Sequence, residues 1–270
     1  MDRIVVGRLN LNPSGEFSWS NPEPSKDANV VMIGKYLATG DAYKSVLESV
    51  SLCGYKNPQM LDAEDLEKMT EEEFGETLER YSGIIIPGGF GHRGIEGMVR
   101  AIRYARENDK RLLGLCLGMQ LMTIEYARNV AGLEGANSTE FDPDTPYPVI
   151  DLMEEQKRVM KLGGTMRLGA EEIKLSKWSK LHKIYSEDVV VERHRHRYEV
   201  NVGAFRGILR IEESDPKDRL NVSAMSEFVE AVELSQNRFH IGVQYHPEYV
   251  SKISKPHPLF VEFLKTCEES

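Results

Sequence analysis

A cysteine stands between a strand-like apolar run and a helical pattern in the decapeptide Arg111-Leu112-Leu113-Gly114-Leu115-Cys116-Leu117-Gly118-Met119-Gln120. Glycines lie two residues before and two residues after Cys116, where they remove side chains that would crowd a sharp strand-to-helix turn. Such a turn holds the cysteine clear of the sheet, and the N-terminus of the following helix favours the nucleophilic thiolate. The pattern predicts an enzyme that attacks a carbonyl carbon with Cys116.

Strand and helix patterns alternate on both sides of this cysteine. Strands are predicted at 29–36, at 83–87 and immediately before Cys116, and helices at 41–52 (with Asp41 as N-cap), 64–81, 94–108 and 119–130. This alternation is typical of an α/β fold, with a mostly parallel central sheet covered by helices on both faces. Active sites of such sheets lie beyond the carboxyl ends of the strands, so Cys116 and the loop 88–91 are expected to meet.

The second half of the chain is richer in strand patterns. Strands are predicted at 165–175, 189–200 and 239–245, followed by a closing helix at 258–267. Residues 11–28 are rich in Pro, Ser, Asn and Gly, which is a linker composition. We therefore expect an N-terminal tail or linker at 1–28 and one domain at 29–270.

Composition narrows the class of protein. The chain has 270 residues, of which 40% are hydrophobic, enough for a packed core, and a formal net charge of −9, which disfavours nucleic-acid binding. It contains no 18-residue apolar run and no signal-peptide pattern, so no membrane association is expected. Three widely spaced cysteines are typical of reduced thiols in the cytoplasm, and Cys53 and Cys267 are expected to be inert.

A cysteine nucleophile needs a base, and His246 is the best candidate. It follows an apolar strand pattern, and Glu248 stands two residues later, where a carboxylate can fix the imidazole tautomer and stabilise the imidazolium. A structural histidine at a strand end is the alternative interpretation. The oxyanion would be bound by the amide of Leu117 and by the backbone at Gly89, in a glycine pair that allows close approach.

A basic run alternates with histidines at Arg193, His194, Arg195, His196 and Arg197. On a strand the arginines would share one face. A salt-bridged edge strand, nucleic-acid binding and metal binding by the two histidines are all open interpretations. The acidic chain disfavours the second, and no acidic residue or cysteine at ligand spacing completes a metal site, so no metal is predicted.

Three separated motifs occur in a characteristic order: Pro87-Gly88-Gly89, the Cys116 decapeptide and His246-Pro247-Glu248. This set resembles the class I, or triad, glutamine amidotransferases, which implies a flavodoxin-like α/β fold. Segments 34–36, 41–45, 89–97, 136–141, 164–169 and 193–201 are similar to the glutaminase domain of CTP synthases. The resemblance covers roughly residues 29 to 265, and residues 1–11 resemble the end of the synthetase domain or its linker.

The resemblance implies a role for each matching residue. Cys116 would attack the side-chain amide of L-glutamine to form a thioester, His246 would transfer protons, and Glu248 would orient His246. Glutamine contacts are implied at Gly89, Leu117, Gly118, Met119, Gln120, Glu140 and Arg197. Ammonia would pass to a synthetase domain that is not part of this sequence. In that domain, ATP with Mg²⁺ would drive the amination of UTP to CTP.

The resemblance also implies an allosteric effector, GTP, at the loop that contains Arg93, Gly94 and Glu96. His92 stands there where the family pattern has an aromatic residue such as tyrosine. No cofactor is implied within this domain. Two other functions stay open. One is a free-standing γ-glutamyl hydrolase with the same triad, and the other is a regulatory domain without catalysis, against which the complete set of Cys116, His246 and Glu248 argues.

Overall fold

A computed structural model describes residues 8, 23–35, 41–152, 166–205 and 219–269. The centre of the fold is a nine-stranded sheet with strand order β2-β1-β3-β4-β12-β11-β10-β7-β8, and its first five strands run parallel. These parallel strands are β1 (Val30–Gly34), β2 (Gln59–Asp62), β3 (Gly83–Ile86), β4 (Arg111–Leu115) and β12 (His240–Val243). The α/β fold with a parallel centre is confirmed.

The other four strands extend the sheet in antiparallel order. They are β7 (Arg167–Leu175), β8 (Val189–His196), β10 (Leu220–Met225) and β11 (Val229–Leu234). A separate small sheet contains β5 (Ala136–Ser138), β6 (Tyr147–Asp151) and β9 (Glu199–Val200). The predicted strand over 189–200 is therefore two strands in two sheets, because the chain leaves the large sheet after His196.

Helices bury both faces of the large sheet. One apolar cluster contains residues of α2 (Ala63–Lys68), α3 (Glu71–Glu79), α4 (Ile95–Glu107) and α5 (Leu117–Asn129). The cluster on the opposite face contains residues of α1 (Lys44–Leu52), α6 (Lys180–Tyr185) and α8 (Pro258–Glu268). A short helix, α7 (Val202–Phe205), follows β9. Burial of apolar surface on two faces explains why β1, β3 and β4 are nearly continuous apolar runs, whereas the partly exposed edge strand β2 is not.

Two helix predictions need correction. The first helix begins at Lys44 with Tyr43 at its N-cap, so Asp41 is not the cap. The helix predicted over 64–81 is two helices, α2 and α3, since Thr70 and Glu73 form a reciprocal capping box that starts a new helix. A Thr followed three residues later by Glu was the available sequence signal.

The predicted tail at 1–28 lies mostly outside the described residues, and the division into tail and domain stays a prediction. Of its described residues, Lys26 pairs with Tyr55 and Ala28 is buried in the core. Cys53 and Cys267 are free thiols, and burial raises their pKa to about 11 and about 12. Among the described helices, none is long and apolar enough to cross a membrane.

Candidate active site

Cys116 lies on a strained turn between β4 and α5. Its backbone has φ 52° and ψ −96°, in the positive-φ region that non-glycine residues rarely adopt. A Cβ added to Gly118 would overlap the carbonyl oxygen of Ile86, and one added to Gly114 would lie 2.8 Å from the carbonyl carbon of Gly118. The two glycines therefore allow α5 to start directly against β3 and β4, which fixes the position of Cys116.

Strand pairing brings the second half of the site to this turn. β4 and β12 pair in parallel with Leu115 opposite Val243, and the Cys116 amide donates to the Val243 carbonyl at 2.7 Å. The residues that follow β12 consequently lie beside Cys116. A single 3₁₀ turn over Pro247–Tyr249 then brings Glu248 back toward His246.

His246 is held by contacts on two sides. Its Nδ1 lies 2.7 Å from Oε1 of Glu248, and its ring stacks on Tyr249 with 4.6 Å between centroids and 11° between planes. Its Nε2 is buried and has no hydrogen-bond partner in the described part of the chain. The Glu248 contact selects the tautomer or ion that carries the proton on Nδ1, which leaves Nε2 for proton exchange.

The electrostatics of His246 favour its charged form. Burial lowers the pKa of His246, but its interactions with the Cys116 side chain, followed by those with Glu248, raise it well above its ordinary value. The direction of this shift is that expected of a thiolate paired with an imidazolium. Both His246 and Glu248 are buried, so little solvent screens the pair.

A cavity of about 280 Å³ opens beside these groups. Gly88 borders it between the two catalytic candidates, since a Cβ added there would lie 3.1 Å from Cε1 of His246 and 3.6 Å from Cβ of Cys116. The cavity is lined by Ala42, Tyr43, Ser45, Val46, Gly88, Gly89, Phe90, Cys116, Arg195, His246, Glu248 and Tyr249. Gly89, predicted to help bind the oxyanion, is thus brought together with all three triad candidates.

The other predicted glutamine contacts lie outside this lining. Leu117, Gly118 and Met119 are buried at the start of α5, and the Met119 side chain belongs to the apolar core. Gln120 is also buried, and its Nε2 donates to the Tyr198 carbonyl and to Gln244. Its amide hydrogens are therefore used within the protein, leaving Oε1 for any ligand.

Glu140 and Arg197 are not among the residues that line the cavity. Glu140 accepts a hydrogen bond from the Gly91 amide at 2.9 Å, and the Lys35 ammonium donates to the Gly91 carbonyl. Burial lowers the pKa of Lys35 to about 8, with Glu140 opposing the shift. Arg197 is exposed and immediately follows β8. The glutamine roles of Glu140 and Arg197 remain predictions.

The predicted effector loop forms the start of α4. Gly94 is the N-cap with φ 65°, and a Cβ added there would lie 2.8 Å from the Cβ of Ala63. Arg93 is paired with Glu64, and Glu96 is paired with Arg128 at 2.9 Å. This loop is consequently tied to both α2 and α5.

A buried charged cluster surrounds Arg167. The guanidinium lies 2.6 Å from Glu230, 2.8 Å from Glu171 and 3.3 Å from Glu199. Metal-ligating atoms of His194, Glu171 and Glu230 lie within 4.8 Å of one another, so the fold supplies carboxylates that the sequence spacing lacked. Arg167 already gives these carboxylates a positive partner, and the absence of a metal stays a prediction.

The two histidines are neutral members of this region. Burial lowers the pKa of His194 to about 4 and that of His196 well below its usual range. Because a carbonyl only accepts, His196 Nδ1 donates to Tyr198, and His194 Nδ1 then donates to His196 Nε2 at 3.1 Å. The arginines Arg193 and Arg195 face outward on the edge strand β8, as their alternation predicted.

Gln244 is the residue near the sulfur that sequence reasoning missed. It is fully buried, and its Nε2 donates to the Cys116 sulfur at 3.6 Å. Tyr43, Arg195 and Tyr249 in the cavity lining were also not predicted as site residues. Gln244 stands two residues before His246, so strand periodicity from His246 was the signal that could have identified it.

Comparison with known proteins agrees with this geometry. Residues 39–266 match the family model of glutamine amidotransferase class-I. A CTP synthase from Thermotoga maritima is 53% identical over 98% of this chain, and one from Thermosipho africanus is 51% identical over 99%. The chain spans about half the length of these relatives, 51% in each case.

A solved structure covers nearly the same unit. The glutaminase domain of Trypanosoma brucei CTPS, with bound acivicin, is 37% identical and superposes with a TM-score of 0.80. The match covers 89% of this chain and 94% of that domain. The chain therefore belongs to the class I glutamine amidotransferase family, and within that family it is similar to the glutaminase domains of CTP synthases.

Proposed function

We propose that this chain hydrolyses L-glutamine to glutamate and ammonia with Cys116 as nucleophile, His246 as acid and base, and Glu248 as the residue that orients His246. The observation that carries the proposal is the strained turn at Cys116, which lies beside a buried His246–Glu248 pair. In that pair, Nδ1 of His246 lies 2.7 Å from Oε1 of Glu248. Family membership and the 37% identical glutaminase domain support glutamine as the substrate class.

The first half-reaction forms a thioester. The Cys116 thiolate attacks the side-chain carbonyl carbon of glutamine, and the resulting oxyanion accepts hydrogen bonds from the amides of Leu117 and Gly89. The imidazolium of His246 gives its Nε2 proton to the amide nitrogen, the carbon–nitrogen bond breaks, and ammonia leaves. The charged form of His246 that its surroundings favour is the form this step requires.

The second half-reaction restores the thiolate. Neutral His246 takes a proton from water as the oxygen attacks the thioester carbon, the carbon–sulfur bond breaks, and glutamate leaves. The thiolate and imidazolium are then paired again. Glu248 keeps the Nδ1 proton in place throughout, and Tyr249 limits rotation of the ring by stacking on it.

The ammonia would serve a larger reaction. Since the chain spans half of its CTP synthase relatives, we propose that a synthetase domain uses the ammonia to convert UTP to CTP with ATP and Mg²⁺. GTP would act as effector near Arg93, Gly94 and Glu96, at the start of α4. We place this reaction in the cytoplasm, in agreement with the free state of all three cysteines.

Intact-mass labelling with a diazo-ketone analogue of glutamine, followed by peptide mapping, tests the nucleophile and the substrate together. We expect one adduct on Cys116, prevented by excess glutamine, and none in Cys116→Ala. Cys53→Ala is the matched control and should label as the unchanged chain does, since Cys53 lies outside the cavity. Labelling of Cys53 or Cys267 instead would contradict the assignment.

A substrate comparison separates this function from the two alternatives. Turnover of γ-glutamyl peptides faster than that of free glutamine would favour a γ-glutamyl hydrolase. If Cys116→Ala left every measured property of the chain unchanged, the regulatory domain without catalysis would be favoured. We also expect slow hydrolysis by the chain alone, because a domain that delivers ammonia should wait for a charged synthetase. Turnover at the rate of a complete CTP synthase would contradict that coupling.

A further inference from the structure

Two glutamine side chains connect the Cys116 sulfur to a backbone carbonyl. Gln244 donates from Nε2 to the sulfur at 3.6 Å and accepts at Oε1 from Nε2 of Gln120 at 3.2 Å. Gln120 donates from the same nitrogen to the Tyr198 carbonyl at 2.9 Å. Gln244 is 0% exposed and Gln120 is 3% exposed, so water cannot readily replace these bonds.

The direction of this relay follows from its fixed end. A carbonyl oxygen can only accept, so Gln120 must turn its NH₂ group toward Tyr198. The second hydrogen of that group then points to Gln244, which must present its oxygen. The Gln244 NH₂ group is left facing the sulfur. The Tyr198 carbonyl also accepts from His196, so both of its lone pairs are used and its orientation is firmly held.

The relay depends on the strand pairing that builds the site. Gln244 comes directly after β12 and Cys116 directly after β4, and the two strands pair in register up to Val243 and Leu115. The Gln244 amide also donates to the Glu230 carbonyl at 2.8 Å, which anchors its backbone on β11. The donor therefore approaches the sulfur from the sheet rather than from the cavity, whose lining includes neither Gln120 nor Gln244.

We propose that Gln244 is a positioning residue for Cys116: its side-chain amide donates to the thiolate and holds the sulfur in its attacking orientation, while Gln120 fixes the direction of that amide. The proposal rests on Cys116 being the nucleophile. A hydrogen bond to an ionised acceptor stabilises that form, so the Gln244 donor favours the thiolate together with the imidazolium of His246. Gln120 thereby acts through Gln244.

The test is the pH dependence of Cys116 alkylation by iodoacetamide, which reports the sulfur without needing a substrate. The other charged groups around the sulfur, His246, Glu248 and the cavity-lining Arg195, are unchanged in every variant. Gln244→Leu should move the midpoint of alkylation upward by about one pH unit. Gln244→Glu should move it at least as far, because a carboxylate replaces the donor.

Glutaminase kinetics supply the second measurement. Gln244→Leu should lower kcat by about tenfold with little change in KM, since Gln244 lies outside the cavity. Gln120→Leu keeps the Gln244 donor but frees it to rotate, so its alkylation midpoint should move in the same direction by less. Thermal unfolding of each variant identifies any that fail to fold. The alkylation midpoints and kcat values of the folded variants then test the positioning role of Gln244.

The outcomes distinguish this inference from the proposed function. We take a change of less than about 0.2 pH units in the alkylation midpoint as no effect. If the folded variants Gln244→Glu and Gln120→Leu both show no effect, the positioning role is overturned. A chain with normal Cys116 alkylation that never consumes glutamine would instead contradict the proposed function. A loss of kcat without a shifted midpoint would also reject the thiolate contact.

Discussion

Substituting Gly88 with alanine should slow the chemical step without unfolding the protein. A Cβ at this position would lie 3.1 Å from Cε1 of His246, whereas ordinary contacts begin at 3.4 Å. His246 cannot easily retreat, because Glu248 holds Nδ1 at 2.7 Å and Tyr249 stacks on its ring. The added methyl group must therefore displace the imidazole or the loop by several tenths of an ångström.

The size of the effect follows from the alignment that proton transfer requires. A misplacement of about 1 Å can cost about 10²-fold in rate, so the shift of about 0.3 Å that restores an ordinary contact should cost about fourfold in kcat. This corresponds to about 0.8 kcal/mol of transition-state stabilisation. KM should change little, because the clash falls on the base rather than on the substrate. The assay is steady-state release of glutamate from glutamine, with thermal unfolding in parallel.

Gly75 provides a matched control. It lies inside α3, has no atom within 4 Å of an added Cβ, and is not part of the cavity lining. Gly75→Ala should leave kcat unchanged and stabilise the helix by about 0.5–1 kcal/mol. The reasoning is refuted if Gly88→Ala keeps kcat within about 1.5-fold of the unchanged chain, short of the loss of about fourfold expected, or if both variants lose activity equally.

Three further predictions concern stability. Burial raises the pKa of Glu199 from 4.5 to about 8. The protonated side chain therefore contributes its whole share of the free energy of unfolding below pH 4.5, and this contribution is lost as the pH rises through 8. Glu199→Gln should flatten this loss when the free energy of unfolding is measured across that pH range. Burial lowers the pKa of His240 from 6.5 to about 3. The neutral side chain therefore contributes its whole share of the free energy of unfolding above pH 6.5, and this contribution is lost as the pH falls toward 3. If the loss of stability at acidic pH were the same in His240→Gln, this prediction would be contradicted. Glu125 is buried and lies 2.8 Å from Arg106, so Glu125→Leu should cost about 3 kcal/mol in chemical unfolding. Glu107→Gln, which removes the more exposed partner of Arg106 at 3.2 Å, should cost less than about 1 kcal/mol.

The parts of the site that sequence could predict are those encoded within a few residues. The turn at Cys116 needs glycines at fixed offsets, and the His246–Glu248 contact needs only a short 3₁₀ turn between the two residues. Both are local, so a single sequence displays them. The parallel centre of the sheet could likewise be predicted from the sequence, because strands buried on both faces are uninterrupted apolar runs.

The remainder depends on contacts between distant segments. Gln120 and Gln244 are separated by 124 positions, so the hydrogen bond between their side chains cannot be read from either local stretch of sequence. The break of the predicted 189–200 strand was hidden for a similar reason, since β9 pairs with β6 of another sheet. Hydrogen-bond partners of this kind become visible only when the strand order is known.

The segment after β12 explains how one strand register places both the hydrogen-bond donor to the Cys116 sulfur and the residue that transfers protons. Side chains alternate along it, so Gln244 and His246 point toward Cys116 while Tyr245 points away. Tyr245 is fully buried in the opposite cluster, where its hydroxyl lies 3.0 Å from that of Tyr185. A shift of one residue would place Tyr245 at the sulfur and turn both functional side chains into that apolar cluster. Pairing of Val243 with Leu115 thus fixes the donor and the base together, which is why the catalytic geometry is a property of the sheet and not only of the loops at its edge.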